Sequence, residues 1–203
     1  PYTTLFRSGR TRIFQNGAVI EKGGVNFSSV HGKLPQAIKS AFKVDSDEFF
    51  ATGVSIVLHP SNPFVPIIHM NIRYFEMDEQ TRWFGGGIDL TPHYVIDTDA
   101  RFFHHLLKQT CTKHHPDFYD KFKKQADDYF FIKHREETRG IGGIFYDKLK
   151  PENTGLSFEQ LLDFSLDVGR TFAPIYTELI DRNRDTEFTE EQQEWQFVRR
   201  SRY

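Results

Sequence analysis

The fold is decided by residues 49–76, which read FFATGVSIVLHPSNPFVPIIHMNIRYFE. β-Branched and aromatic residues dominate both ends of this stretch, and three prolines lie in its middle. β-Branched and aromatic residues favour strands, whereas proline is confined to strand ends and loops. The pattern predicts two strands, Phe49–His59 and Ile67–Glu76, joined by a short loop.

Each predicted strand has one apolar and one polar face, because successive side chains of a strand point to opposite sides. The apolar positions are Val54, Ile56 and Leu58 on the first strand and Ile68, Met70, Ile72 and Tyr74 on the second. We expect the strands to pair antiparallel about the middle of the loop, so that the numbers of opposed residues sum to about 128. The polar side chains of both strands then lie next to each other on one face of the sheet. The opposed pairs are then His59 with His69, Val57 with Asn71, and Ser55 with Arg73. We interpret this polar patch as functional; the alternative is a solvated face, although such faces usually carry Lys, Glu and Thr.

Further strands are predicted on both sides of this hairpin. Asn16-Gly17 favours a two-residue type I′ turn inside a hairpin over residues 12–20. Two more strands are predicted at 23–30 and 140–146. Another, at 81–90, is interrupted by Gly85-Gly86-Gly87, where a bulge, a bend or the close approach of a ligand would each explain the glycines.

Two helices are predicted in the middle of the chain. Thr98 or Asp99 is expected to cap the first, whose apolar stripe includes Cys111. The second is predicted from Asp117 to Arg139, with Gly140 as its stop signal.

Two capping boxes begin the later helices. Ser157 with Gln160 starts one, and Thr189 with Gln192 starts the other. Pro174 is expected to kink or end the former. Antiparallel strands followed by helices indicate an α+β fold.

Composition excludes several classes of protein. The 203 residues carry a net charge of −2, with 38 % hydrophobic and 27 % charged residues, which is typical of one globular domain. No apolar run approaches the roughly 20 residues of a membrane span, and the charge provides no general field for nucleic acid. The single cysteine, Cys111, excludes an internal disulfide and fits a reducing compartment such as the cytoplasm.

The ends of the chain indicate a piece of a longer protein. Residues 1–8, PYTTLFRS, resemble a translated sequencing adapter, so we expect them to be foreign. Residues 9–203 are then a single domain that is truncated at both ends.

Nine histidines and several arginines are the candidate chemical groups. His59, His69, His104 and His134 form the set that could hold a divalent cation, although ordinary structural histidines are the alternative. Arginine suits the recognition of carboxylates, because its guanidinium binds them through two parallel hydrogen bonds. The candidates of that kind are Arg73, Arg135 and Arg139.

Six strings of the chain closely resemble the oxygen-dependent coproporphyrinogen III oxidases. They are GGVNFS at 23–28, GVSIVLHP at 53–60, HMNIRYF at 69–75, WFGGGIDLTP at 83–92, and KHR at 133–135 with RGIGGIF at 139–145. The resemblance implies an antiparallel sheet flanked by helices on both faces, in a homodimer. It also implies oxidative decarboxylation of two propionates of coproporphyrinogen III to vinyl groups, with O₂ as oxidant.

Roles for individual residues follow from the same resemblance. It implies that Ser55 and the run Asn71-Ile72-Arg73 contact the substrate and that His69 donates a proton. It also implies that His59, His69, His104 and His134 bind a divalent cation. We add Arg135 and Arg139 as further propionate anchors.

Two other functions stay open at this stage. One is a hydrolase with a histidine-bound metal, and the other is a tetrapyrrole-binding protein without enzymatic activity. Because members of the resembling family are longer, we expect the 203-residue chain to lack part of the substrate pocket and to be inactive by itself.

Overall fold

The computed structural model describes residues 6–202 and contains one six-stranded sheet, one two-stranded sheet and six helices within that range. The strands are β1 (Phe6–Gln15), β2 (Ile20–Lys33), β3 (Glu48–Pro60), β4 (Ile67–Glu76), β5 (Arg82–Thr91), β6 (Phe131–Ile132), β7 (Glu137–Thr138) and β8 (Gly143–Leu149). The helices are α1 (Gln36–Phe42), α2 (Asp97–His114), α3 (Phe118–Tyr129), α4 (Pro151–Thr154), α5 (Phe158–Asn183) and α6 (Glu190–Arg200).

The large sheet is antiparallel throughout, in the order β1-β2-β3-β4-β5-β8. β3 and β4 form its centre, as the sequence predicts, but the predicted register is wrong by two residues. Val57 faces His69, Ser55 faces Asn71, and Gly53 faces Arg73. Since side chains repeat every two residues, this shift leaves every side chain on its predicted face.

The loop between β3 and β4 is held by one of its own side chains. The side chain of Asn62 accepts a hydrogen bond from Phe64 N–H at 2.9 Å and donates to the carbonyls of Arg184 and Thr186 at 3.1 and 2.8 Å. The loop is therefore anchored to the end of α5, more than 120 residues away. The sequence around Asn62 does not predict these contacts, because their partners are distant in the chain.

The first hairpin is present, but its predicted turn is wrong in detail. Gly17 N–H donates to Ile20 C=O, so the chain reverses at Ala18-Val19, while Asn16 adopts a positive φ of 55°. Pro1–Leu5 lie outside the described residues, and Phe6–Ser8 pair with Ser29–His31. The foreign origin of residues 1–8 stays a prediction.

Two helix predictions are corrected. α3 ends at Tyr129, and the chain continues as β6, a 3₁₀ turn at Lys133–Arg135 and β7 instead of a helix to Arg139. α2 begins at Asp97 without a side-chain cap. The carboxylate of Asp99 instead accepts hydrogen bonds from Arg182 and Asn183 of α5.

The capping predictions for the later helices are confirmed. Ser157 and Thr189 each accept a hydrogen bond from the backbone three residues on, completing both capping boxes. Pro174 does not end its helix, which continues to Asn183.

The long helices α2, α3 and α5 pack on one face of the sheet, which we call the closed face. Its core holds the even-numbered side chains of β3, β4, β5 and β8, such as Ile68 and Ile88, together with Phe103 and Phe164 of the helices. Cys111 lies in this core, and burial raises the pKa of its thiol to about 12, so it is an inert packing residue.

The opposite face, which we call the open face, carries α1 at one end and residues 129–139 at the other. Phe42 of α1 stacks on Trp83, whereas Tyr129 stacks on Phe145. The middle of β3, β4 and β5 therefore lies between α1 and residues 129–139. The α+β class and the antiparallel sheet are confirmed. Along residues 6–202, no helix is both long and apolar enough to cross a membrane.

Candidate active site on the open sheet face

The polar side chains of β3, β4 and β5 meet in one cavity on the open face. The cavity has a volume of about 180 Å³. Ser55 and Asn71 are direct cross-strand partners in its floor, and His69 and Arg73 lie on either side of Asn71 along β4. Its lining also includes Gly87, Asp89, Tyr129, Phe130, Arg139 and Phe145.

His69 is held by a carboxylate from the next strand. Its Nδ1 lies 3.2 Å from Oδ2 of Asp89, its cross-strand partner, whose side chain is nearly buried. The other oxygen of Asp89 accepts a hydrogen bond from Arg139 at 2.7 Å. One carboxylate therefore joins an imidazole and a guanidinium beside the cavity.

Arg73 lies on the exposed side of the cavity. One of its terminal nitrogens donates to Oδ1 of Asn71 at 2.9 Å, and the other forms an ion pair with Asp147 at 2.9 Å. Gly85 makes room for this guanidinium, because a Cβ there would lie 2.7 Å from Arg73 Nε. With 38 % of its side chain exposed and an exposed partner, Arg73 can exchange Asp147 for a ligand carboxylate at little cost.

Aromatic rings form one wall of the cavity. Tyr129 stacks on Phe145 with ring centroids 4.2 Å apart and planes 11° from parallel, although 65 % of Tyr129 is exposed. Phe130 lies edge-on to Phe145 and carries the guanidinium of Arg139 over its ring at 4.0 Å. A flat apolar ligand would find a matching surface here.

The polar floor continues beyond this cavity toward β2. Asn26 and Ser28 line an adjoining groove of about 250 Å³ that shares Ser55, Asn71 and Arg73 with the first cavity. The cavity and the groove therefore form one continuous surface on the open face. This surface is large enough for a ligand much bigger than a single ion.

Ile72, His134 and Arg135, which were proposed for substrate or metal binding, do not line the cavity. The side chain of Ile72 points to the closed face and packs against the core. His134 and Arg135 are exposed on the 3₁₀ turn, apart from the residues that line the cavity.

The four histidines do not form one metal site. His104 belongs to α2 on the helical side of the sheet, where its ring nitrogens contact Ile141 C=O at 3.0 Å and the Tyr119 hydroxyl at 3.1 Å. His59 shares the open face with His69, and burial, with the nearby charges of Arg200 and His69, lowers its pKa. Between residues 6 and 202, no three His, Cys, Asp or Glu side chains are grouped to hold an ion. The predicted set of four ligands therefore does not fit a metal ion.

Sequence reasoning missed Asp89 and the wall formed by Tyr129. Asp89 has the same parity as Gly85 and Gly87 in β5, so extending the alternation argument to this strand would have placed it beside His69. Tyr129 was assigned to the interior of a longer helix, and no local signal marks the end of α3 at this residue.

An antiparallel sheet with a histidine–carboxylate pair, an accessible arginine and an aromatic wall in one cavity defines a class of protein. The chemistry of these side chains suits an anionic ligand with an apolar body, placed next to an imidazole that could transfer a proton. Comparison with known proteins identifies the class further. The sequence profile described as "Coproporphyrinogen III oxidase" matches residues 5–203, and the chain belongs to that family.

Individual relatives agree with this assignment. The chain is 45 % identical over 96 % of its length to coproporphyrinogen-III oxidase 1, chloroplastic, of Arabidopsis thaliana, and covers 53 % of that relative. It is 46 % identical over 95 % of its length to the chloroplastic oxygen-dependent enzyme of Hordeum vulgare, covering 54 % of it. The oxygen-dependent enzyme of Drosophila melanogaster is 45 % identical over 96 % of the chain, with 52 % of that relative covered. The chain thus spans about half the length of these curated relatives.

Proposed function

We propose that this chain carries the catalytic sheet of an oxygen-dependent coproporphyrinogen III oxidase. The observation that carries the proposal is the convergence of Ser55, His69, Asn71 and Arg73 in one cavity, in a chain of this family. The names of the Hordeum and Drosophila relatives support O₂ as the oxidant.

The reaction acts on each of two propionate side chains. A group R–CH₂–CH₂–COOH reacts with O₂ to give R–CH=CH₂, CO₂ and H₂O₂. The bond to the carboxyl carbon breaks, its electron pair forms the vinyl double bond, and the carbon next to the ring loses the equivalent of a hydride to oxygen. Two turnovers convert coproporphyrinogen III to protoporphyrinogen IX.

The residues of the cavity suit three tasks in this reaction. We assign to Arg73 the binding of a propionate carboxylate, with hydrogen bonds from Ser55 and Asn71 fixing its orientation. His69 is the proton-transferring group, since one imidazole nitrogen can donate a proton while the other accepts one. The Tyr129–Phe145 stack suits the contact with the flat macrocycle.

Two narrower statements stay predictions, and a third is withdrawn. The homodimer rests on the family resemblance alone. The cytoplasmic location rests on the single cysteine, while the plant relatives are named chloroplastic. Of the added propionate anchors, Arg135 is exposed away from the cavity, so we no longer place it in the site.

The test uses the full gene product that contains this sequence. It is incubated with coproporphyrinogen III in air and under nitrogen, while oxygen uptake and product porphyrins are measured. We expect protoporphyrinogen IX in air only, with two O₂ consumed per product. Arg73→Ala should raise KM about 10- to 100-fold, because a charged hydrogen bond is lost.

A matched control is Arg170→Ala, which removes an arginine that is 71 % exposed on α5, away from the open face. Its KM should equal that of the unchanged protein. Binding of the porphyrinogen without oxygen uptake would support the non-enzymatic carrier and overturn the proposal. A metal hydrolase would consume no O₂ and give no vinyl product.

A further inference from the structure

Asp89 has no role in the assignments above, yet its carboxylate is nearly buried beside the cavity. Only 5 % of the residue is exposed. Its backbone is paired on one side with His69 of β4 and on the other with Gly143 of β8. A Cβ at Gly143 would lie 2.9 Å from Asp89 Cα, so the two strands approach closely at this residue. The carboxylate therefore has little freedom to move.

Arg139 is held by contacts of its own. Its guanidinium lies over the ring of Phe130 and donates to Asp89 at 2.7 Å, and its backbone N–H donates to Phe130 C=O at 3.0 Å. Its side chain is 24 % exposed, against 38 % for Arg73. The charge of Arg139 is already compensated by a nearly buried carboxylate, which a ligand displaces less readily than the exposed Asp147 of Arg73.

The contact between Asp89 and His69 fixes the tautomer of the imidazole. An ionised carboxylate only accepts hydrogen bonds, so His69 must donate from Nδ1–H. In the neutral ring this leaves Nε2 as the unprotonated nitrogen. We propose that Asp89 is a positioning residue that holds His69 as the Nδ1–H tautomer, and that Arg139 is the counter-charge of Asp89 and not a substrate anchor. The effect of this tautomer on catalysis rests on the proposed function.

The first test needs neither substrate nor activity. Long-range ¹H–¹⁵N spectra of protein labelled with ¹⁵N-histidine distinguish the two tautomers, and a His69→Asn variant assigns the signal. At a pH where the ring is neutral, we expect protonated Nδ1 in the unchanged protein and a shift toward protonated Nε2 in Asp89→Asn. Protonated Nε2 in the unchanged protein overturns the inference, even if the D89N chain does not fold.

The second test measures turnover of coproporphyrinogen III. Asp89→Asn is expected to lower kcat about 10²- to 10⁴-fold with KM nearly unchanged, because the ring is held in the wrong tautomer. An increase in KM with kcat intact would show that the Asp89–Arg139 pair binds substrate, and would overturn the inference.

Asp99→Asn is the matched control. Asp99 is 6 % exposed and is likewise bonded to an arginine, Arg182, but it lies at the start of α2. It should alter neither kcat nor the tautomer of His69, even where it lowers stability. If the unchanged protein shows no oxidase activity, the proposed function fails, whereas the spectra still decide whether Asp89 positions His69.

Discussion

The two faces of the six-stranded sheet are built from the same strands but from different kinds of residue. On the closed face, Ile68, Met70 and Ile88 are nearly or fully buried under α2, α3 and α5. On the open face, His69 and Asp89 form a hydrogen-bonded pair beside a cavity. Residues that are neighbours in the chain therefore serve stability and ligand chemistry separately. Substitutions of such neighbours can measure the two functions independently.

The largest effect is expected for His69→Ala on the open face. If His69 transfers the proton in the proposed reaction, kcat should fall about 10²- to 10⁴-fold. Steady-state oxygen uptake by the full gene product measures this change. A variant that keeps more than about half of the unchanged kcat would remove His69 from the chemistry.

The neighbouring residue Ile68 should show the reverse behaviour. Its side chain is fully buried in the core, so Ile68→Ala should lower the free energy of unfolding by about 2–5 kcal/mol. Urea unfolding gives this value, and kcat of the folded protein should stay close to that of the unchanged chain. Equal losses of kcat in both variants would show that the two faces are not separable.

The separation of the faces was predictable from sequence, because it depends only on the alternation of residues along β3 and β4. An error of two residues in the register left it intact. Ser55, His69, Asn71 and Arg73 were therefore grouped correctly before any contact was known. The capping boxes at Ser157 and Thr189 were predictable for a similar reason, since each depends on four consecutive residues.

Features that depend on tertiary contacts were not predictable. The end of α3 at Tyr129 is set by packing of the following residues on the open face, where Tyr129 stacks on Phe145. The proposed set of four histidines fails because His104 lies on a helix across the sheet, and sequence spacing contains no information on that placement. Asp89 was missed because the alternation of side chains between the two faces was applied to β3 and β4 but not to β5.

A buried histidine outside the cavity separates pH effects on stability from pH effects at the site. Burial, with the nearby charge of Arg200, lowers the pKa of His93 to about 4. Between this value and the ordinary value of 6.5, the unfolded chain binds a proton that the folded chain does not. Stability is therefore fully present above pH 6.5 and falls as the pH decreases toward 4, by up to about 3 kcal/mol.

Urea unfolding at several pH values measures this dependence. The change in stability between pH 7 and pH 5 should be smaller in His93→Asn than in the unchanged protein, because the asparagine does not titrate. An identical pH dependence in both proteins would assign it to other groups.

The smallest effects provide the sharpest comparison of the two faces, because they come from the adjacent glycines Gly85 and Gly86. A Cβ at Gly86 would lie 2.7 Å from the hydroxyl of Tyr146, which is fully buried. A Cβ at Gly85 would instead meet the guanidinium of Arg73 and the carboxylate of Asp147, which are the ends of partly exposed side chains.

The same substitution should therefore have different consequences one residue apart. Gly86→Ala should lower the free energy of unfolding by about 1–3 kcal/mol, since the ring of Tyr146 cannot move out of the core. Gly85→Ala should leave stability within about 0.5 kcal/mol, because Arg73 can turn outward, but should raise KM for the porphyrinogen by displacing that anchor. Urea unfolding and steady-state kinetics on both variants decide the matter. If Gly85→Ala were the more destabilising of the two, the guanidinium of Arg73 would be a fixed part of the sheet, and its assignment as the exchangeable partner of a substrate carboxylate would fail.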